Sequence, residues 1–139
     1  MRWLIYRSHP TVIPWPATIL DIARQCEKNN PRHKISGFLL YSNEFYLQLL
    51  EGPQESLDDL WEKLTSDNRH KVTWVTGREG APEMPNLPMG YFDSTREQAV
   101  AKSSTLWRDR NLWDAELAWD LRDLLLEIAV EKYPSSFAR

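Results

Sequence analysis

One cysteine, Cys26, is all that these 139 residues carry. No disulfide can form within the chain, and a reducing cytoplasm is the expected setting. Basic residues form no cluster: 17 Lys and Arg against 20 Asp and Glu leave a net charge of -3. That speaks against a nucleic-acid binder, which shows a basic patch. No apolar run approaches the roughly 18 residues of a membrane helix. The start Met1-Arg2-Trp3-Leu4-Ile5-Tyr6 has no signal-peptide pattern, so no membrane role is expected. Repeats and low-complexity tracts are missing too. The three histidines, His9, His33 and His70, and the lone cysteine are not spaced as metal ligands or as a nucleophile–base dyad. A metal site is therefore not expected, and an enzyme such as a small phosphatase lacks its nucleophile.

What is there is the composition of an ordinary globular protein, 42% hydrophobic and 27% charged. One domain of this size buries roughly two-thirds of its unfolded surface. Seven tryptophans are scattered at 3, 15, 61, 74, 107, 113 and 119, which suits core and interface filling.

The most informative stretch is Ile35 to Gly52, I-S-G-F-L-L-Y-S-N-E-F-Y-L-Q-L-L-E-G. Two apolar runs flank the polar Ser42-Asn43-Glu44, the pattern of a β-hairpin. Gln48 is the odd residue, set between Leu47 and Leu49. A strand period of two puts it on one face with Tyr46 and Leu50. A buried carboxamide left unpaired costs about 1–3 kcal/mol, so Gln48 needs a polar partner. A purely structural bond to backbone is the plain alternative.

Around the hairpin the chain reads as follows. Residues 2–8 form a strand with Leu4, Tyr6 and Ser8 on one face and Trp3 and Ile5 on the other. Helix 17–29 carries the stripe Ile19, Ile22, Ala23 and Cys26. Asn29-Asn30-Pro31 ends it, because the residue before proline is pushed out of the α region. Helix 53–66 carries Leu57, Leu60, Trp61 and Leu64. Asp67 to His70 is a polar turn, Val72 to Val75 a strand, 77–88 a loop, and Met89 to Phe92 a short last strand. The order β-α-β-β-α-β-β is α+β and ferredoxin-like, with two helices on one face of a mostly antiparallel sheet. Residues 95–107 and 114–132 read as a helical pair. The stripe Leu117, Leu121, Leu124, Leu125 and Ile128 needs a partner surface; the strands are apolar on both faces, so the helical pair is placed over the second sheet face, with dimerisation the alternative.

Taken in order, L-I-Y-R-S at 4–8, N-N-P-x-x-x-I-S-G at 29–37, L-L-Y-S at 39–42, F-Y-L-Q-L-L-E-G at 45–52, D-N-R-H at 67–70 and M-G at 89–90 resemble a BLUF domain, a flavin-binding blue-light receptor. The match covers about residues 1–92, and the extension 93–139 is similar to the helical tail of short, stand-alone members. The resemblance implies a photochemical trio: Tyr6 giving an electron and proton to flavin, Gln48 switching its hydrogen bonds, and Met89 relaying the change. It implies that Asn29 and Asn30 hold the polar edge of the ring, with Ser8 near Tyr6. Ile22, Cys26 and Leu64 line the ring, while Lys63, Asp67, Arg69 and His70 meet the ribityl and phosphate end. FAD or FMN is the implied cofactor, FAD favoured, and the implied partner is a downstream signalling protein, with a homo-oligomer through the tail helices left open. The chain departs from the family pattern at Leu87, where many members carry tryptophan, and in a short, proline-rich loop before it. Lys63, Cys26 and Ser36 stand for a more usual arginine, serine and threonine. The alternative reading is a light-insensitive flavin-binding or interaction module on the same fold.

Overall fold

The computed structural model describes residues 1–11, 24–41, 45–93 and 117–137. Five strands are formed by Arg2–Pro10 (β1), Ser36–Tyr41 (β2), Tyr46–Gly52 (β3), His70–Glu79 (β4) and Gly90–Asp93 (β5). Residues 24–29 are helical (α1) and tighten into a 3-10 turn, Asn30–His33. Gln54–Ser66 forms α2 and Leu117–Lys132 forms α3. The expected helix 95–107, the hairpin connection 42–44 and the first part of helix 17–29, including Ile22, lie outside the described residues.

The strands make one sheet in the order β4-β1-β3-β2-β5. All pairs are antiparallel except β2 with β5. The β-α-β-β-α-β order thus gives the expected ferredoxin-like arrangement, with β5 added beside β2. β3 is central, and its pairing with β1 sets Tyr6 directly opposite Gln48.

Strand bounds differ from the sequence reading at β1, which runs on to Pro10, at β5, which is Gly90–Asp93, and most of all at β4. β4 runs from His70 to Glu79, not Val72 to Val75, so residues 77–79 belong to a strand and not to a loop. The reason is tertiary: β4 pairs with β1 from Arg2↔Glu79 to Pro10↔His70, with a register shift between Arg7 and Ser8. Backbone pairing along a neighbour outweighs the weak strand preference of Gly77 and Glu79.

Strand alternation divides the interior into two layers. Trp3, Ile5, Phe38, Leu40, Leu47 and Leu49 face one way and are covered by α3 through Leu117, Ala118, Leu121, Leu125 and Ala129. Tyr6, Leu39, Tyr41, Tyr46 and Leu50 face the other way and meet α2 through Leu57, with Leu60, Trp61 and Leu64 partly buried beside them. The tail helix therefore covers the second sheet face, and Tyr133 fixes the chain beyond it. Its hydroxyl accepts from Tyr91 N–H at 3.0 Å and donates to Tyr91 C=O at 3.2 Å, covering backbone groups of the edge strand β5.

α2 begins after Gly52-Pro53, whose Pro53 sits at the N-cap with extended backbone. Glu55 in the first turn and Lys63 in the last complement the helix dipole.

Candidate functional site

Gln48 is 2% exposed, and both ends of its carboxamide are bonded to side chains of other elements. Tyr6 Oη donates to Gln48 Oε1, linking β1 to β3. Gln48 Nε2 donates to Met89 Sδ at 3.6 Å. The polar partner that the sequence demanded is thus a phenol on one side and a thioether on the other. Burial raises the Tyr6 pKa far above the usual phenol value, with Cys26, Asp67 and Tyr46 adding to the rise. Tyr6 is therefore a neutral O–H donor at physiological pH. The thioether is a weak acceptor, so the Met89 end is the weaker of the two bonds.

Gly37 makes room for this arrangement. A Cβ at Gly37 would stand 2.8 Å from Met89 Cε and 3.0 Å from Leu50 Cδ2. A side chain there would have to displace the ends of Met89 and Leu50. Asn30, buried at the start of the 3-10 turn, donates from Nδ2 to Pro88 C=O at 2.6 Å, beside Met89. Asn29 makes no side-chain cap bond to the turn.

Asn29, Asn30 and Lys63 line a cleft of about 600 Å³ between the 3-10 turn and α2, together with Ile35, Leu60, Arg32 and His33. Cys26 and Leu64 pack on the Tyr6 side of the sheet. Burial pushes the Cys26 thiol up to about 11, with Arg69 opposing the rise. His70 lies 6.3 Å from the Tyr6 ring, and its Nε2 is 2.7 Å from Leu64 C=O. Asp67 and Arg69 are paired with each other, Nη2 to Oδ2 at 2.6 Å, and they do not line the cleft. Arg69 bonding holds the Asp67 carboxyl below the usual carboxylate range. Ser8 is fully buried, and its Oγ has no hydrogen-bond partner among the described residues.

Tyr6 and Gln48 do not themselves line the cleft. The Trp61 indole meets the Tyr6 ring edge-on, centroids 5.4 Å apart, and packs, partly buried, against the cluster that holds Tyr6 and Met89. Trp61, Arg32 and His33 are site residues that sequence reasoning left unassigned. Trp61 was visible as a member of the α2 stripe but was read as filler. Leu87 points away from Gln48 into the α3-side core, where Phe38 also packs.

A family model described as sensors of blue light using FAD, BLUF, matches residues 1–84 of this chain. The chain is a member of the BLUF family. The photoactivated adenylate cyclase subunit beta of Euglena longa is 39% identical over 56 residues, which is 40% of this chain and 6% of that protein. The chain thus spans a small part of the curated relatives it matches. The dark-state structure of BlrB, a BLUF protein, superposes with a TM-score of 0.75 at 25% identity, over 94% of this chain and 96% of that one. A bacterial light-regulated adenylyl cyclase gives 0.69 at 27%, over 96% of this chain and 36% of the other. BLUF domains are flavin-binding sensor modules and not enzymes, so the segment matched here carries a sensing role. Met89 falls beyond the matched residues, and its place beside Gln48 comes from the structure alone. No helix among the described residues is long and apolar enough to cross a membrane.

The residues present fit a flavin. Isoalloxazine is flat, apolar on its faces and polar along one edge, and such ligands take clefts of about 300–1,000 Å³ with a few placed polar groups. Ile35 and Leu60 offer apolar wall, Asn29 and Asn30 the amides, and Lys63 and Arg32 two cations at the rim, where His33, Asp59 and Glu62 also stand. The unpartnered Ser8 Oγ is a further polar atom on the same sheet face.

Proposed function

We propose that this chain is a blue-light photoreceptor that holds FAD or FMN non-covalently, FAD favoured, and signals through the hydrogen bonds of Gln48. The observation that carries the proposal is the chain Tyr6–Gln48–Met89, with the carboxamide oxygen on the phenol and the nitrogen on the sulfur. In this reading Asn29 and Asn30 take the polar ring edge, and Ile22, Cys26 and Leu64 lie against the ring. Ser8 stands near Tyr6, and Lys63, Asp67, Arg69 and His70 serve the ribityl and phosphate end. The flavin, when bound, supplies blue-light absorption and the oxidising power to draw an electron and a proton from Tyr6. Tyr6 holds that proton on Oη, with Gln48 Oε1 as its acceptor.

A carboxamide suits a switch because exchanging its ends exchanges donor for acceptor. With Nε2 turned to Tyr6, the phenol oxygen accepts, while Oε1 facing Met89 Sδ finds no donor. Met89 is then released. One hydrogen bond is worth about 0.5–1.5 kcal/mol net, enough to shift a two-state element up to roughly tenfold. Residues 1–92 form the sensor in this proposal, and 93–139 a helical extension that reports to a protein partner or to a second copy, in the cytoplasm.

The purified protein should be yellow and show a small, reversible red shift under blue light. Gln48→Leu should bind flavin and lose the shift. A colourless parent, or a variant that shifts like the parent, overturns the proposal. A second reading, a light-insensitive flavin-binding module, is favoured by the edge-on contact of Trp61 with Tyr6, which must yield before a ring can reach Gln48. Bound flavin with no spectral response would decide for it.

A further inference from the structure

Glu51 follows Gln48 by three residues on β3 and points to the opposite face, where it is 0% exposed. Its carboxylate receives four donors, two on each oxygen. Oε1 accepts from Ser36 Oγ at 3.2 Å and Met84 N–H at 2.9 Å. Oε2 accepts from Glu83 N–H at 2.9 Å and Arg122 Nη2 at 3.4 Å. Arg122 belongs to α3, is 8% exposed, reaches Ala81 C=O at 3.4 Å and lies over the Trp3 ring at 4.9 Å. One buried carboxylate thus ties together β2, β3, α3 and the start of the 81–89 segment.

The other end of that segment is tied to the Gln48 side. Leu87 N–H donates to Met84 C=O at 3.1 Å, and Gly37 N–H to Leu87 C=O at 3.1 Å. Pro88 C=O accepts from Asn30, and Met89 Sδ from Gln48. Between the two anchors the sequence is A-P-E-M-P-N-L-P-M, with prolines at 82, 85 and 88. Each proline fixes one φ, so this is a stiff strap and not a slack loop. A shift of Met89 at one end must be taken up at the other, where the only buried ionic anchor among the described residues holds it to α3.

We propose that Glu51 is a positioning residue that couples the Gln48–Met89 contact to α3 through the 81–89 strap. The use of that coupling in light signalling rests on the photoreceptor reading above. The coupling itself belongs to the folded chain and is tested in the dark.

The measurement is amide hydrogen exchange of residues 117–132 in the full chain, for the parent, Met89→Ala, Glu51→Gln and the double variant. Glutamine offers one acceptor oxygen and sets N–H groups against donors, so it cuts the strap from its anchor while keeping the shape. Met89→Ala should change α3 exchange by about fivefold or more in the parent, the lower end of usual allosteric couplings. On the Glu51→Gln background it should change exchange by less than about twofold, the scatter expected of independent sites. Equal factors in both backgrounds, or no effect of Met89→Ala, overturn the proposal. If Glu51→Gln does not fold, Arg122→Met serves, since it removes only the α3 end. Leu121→Ala is the control for a merely structural role: it loosens α3 but should leave the Met89 factor intact. In flavin-loaded protein the parent's light-minus-dark exchange difference in α3 should shrink in Glu51→Gln while the red shift persists. A parent without a red shift overturns the photoreceptor reading only, and the dark cycle still decides the coupling.

Discussion

The two faces of the sheet are built for different work. On the α3 face, Leu47, Leu49, Leu117, Leu121 and Leu125 are fully buried aliphatics, and the Glu51 carboxylate receives two donors on each oxygen, while Trp3 Nε1 and Arg122 Nε have no partner among the described residues. On the Tyr6 face the same strands carry Tyr6, Ser8, Tyr41, Tyr46 and Gln48, one hydroxyl is unpartnered, and the outer edge opens into a cleft. Close packing fixes one arrangement, because a rigid interior tolerates little change of volume. A layer whose central carboxamide is held at one end only by a thioether has an alternative of similar energy. The contrast teaches that the stable face is the frame against which the polar face can switch.

The sharpest break of that contrast is Leu121→Ala. Deleting a fully buried leucine from the α3 layer should cost about 2–5 kcal/mol of unfolding free energy by urea titration. The dark absorption spectrum of the flavin-loaded protein should stay where it is. A large spectral change with little loss of stability would show that the two layers are not divided as described.

Ser8→Ala probes the other face and should do the reverse. Removing a buried hydroxyl with no partner should stabilise the flavin-free protein by about 1 kcal/mol, the lower end of the cost of an unsatisfied group. The gain should vanish in flavin-loaded protein. A loss of stability in the flavin-free state would mean that the hydroxyl is already satisfied.

How much of this was legible beforehand follows from the period of each element. In β1 and β3 alternation alone separates Tyr6 and Gln48 from Trp3, Ile5, Leu47 and Leu49, and the sheet keeps that division. The need of Gln48 for a polar partner was physical, and the identity of the partner came from resemblance. The role of Glu51 was missed, although parity places it on the covered face with Leu47 and Leu49, where a charge demands donors. Leu87 and Met89 are two apart yet enter different layers, because residues 87–89 all precede β5 and strand alternation does not govern them. The length of β4 was hidden for a similar reason: it is set by β1, not by its own residues.

The smallest expected effect compares two ion pairs. Glu51–Arg122 is buried, with side-chain exposures of 0% and 10%, whereas Asp67–Arg69, at 26% and 37%, stands in partial solvent. Exposed pairs are screened and worth about 0.2–1 kcal/mol. Asp67→Asn should therefore lower stability at neutral pH by about 0.5 kcal/mol. Arg69 bonding depresses the folded-state pKa of Asp67 below the unfolded value of about 3.9. The pair's contribution is then fully present above that value and is lost as the pH falls through the lower, folded-state one. Stability curves of the parent and Asp67→Asn, measured from pH 7 downward, should separate at neutral pH and converge below about pH 4. Curves that stay parallel to the lowest pH would mean that the variant acts through lost backbone bonding to Arg69 N–H and not through charge.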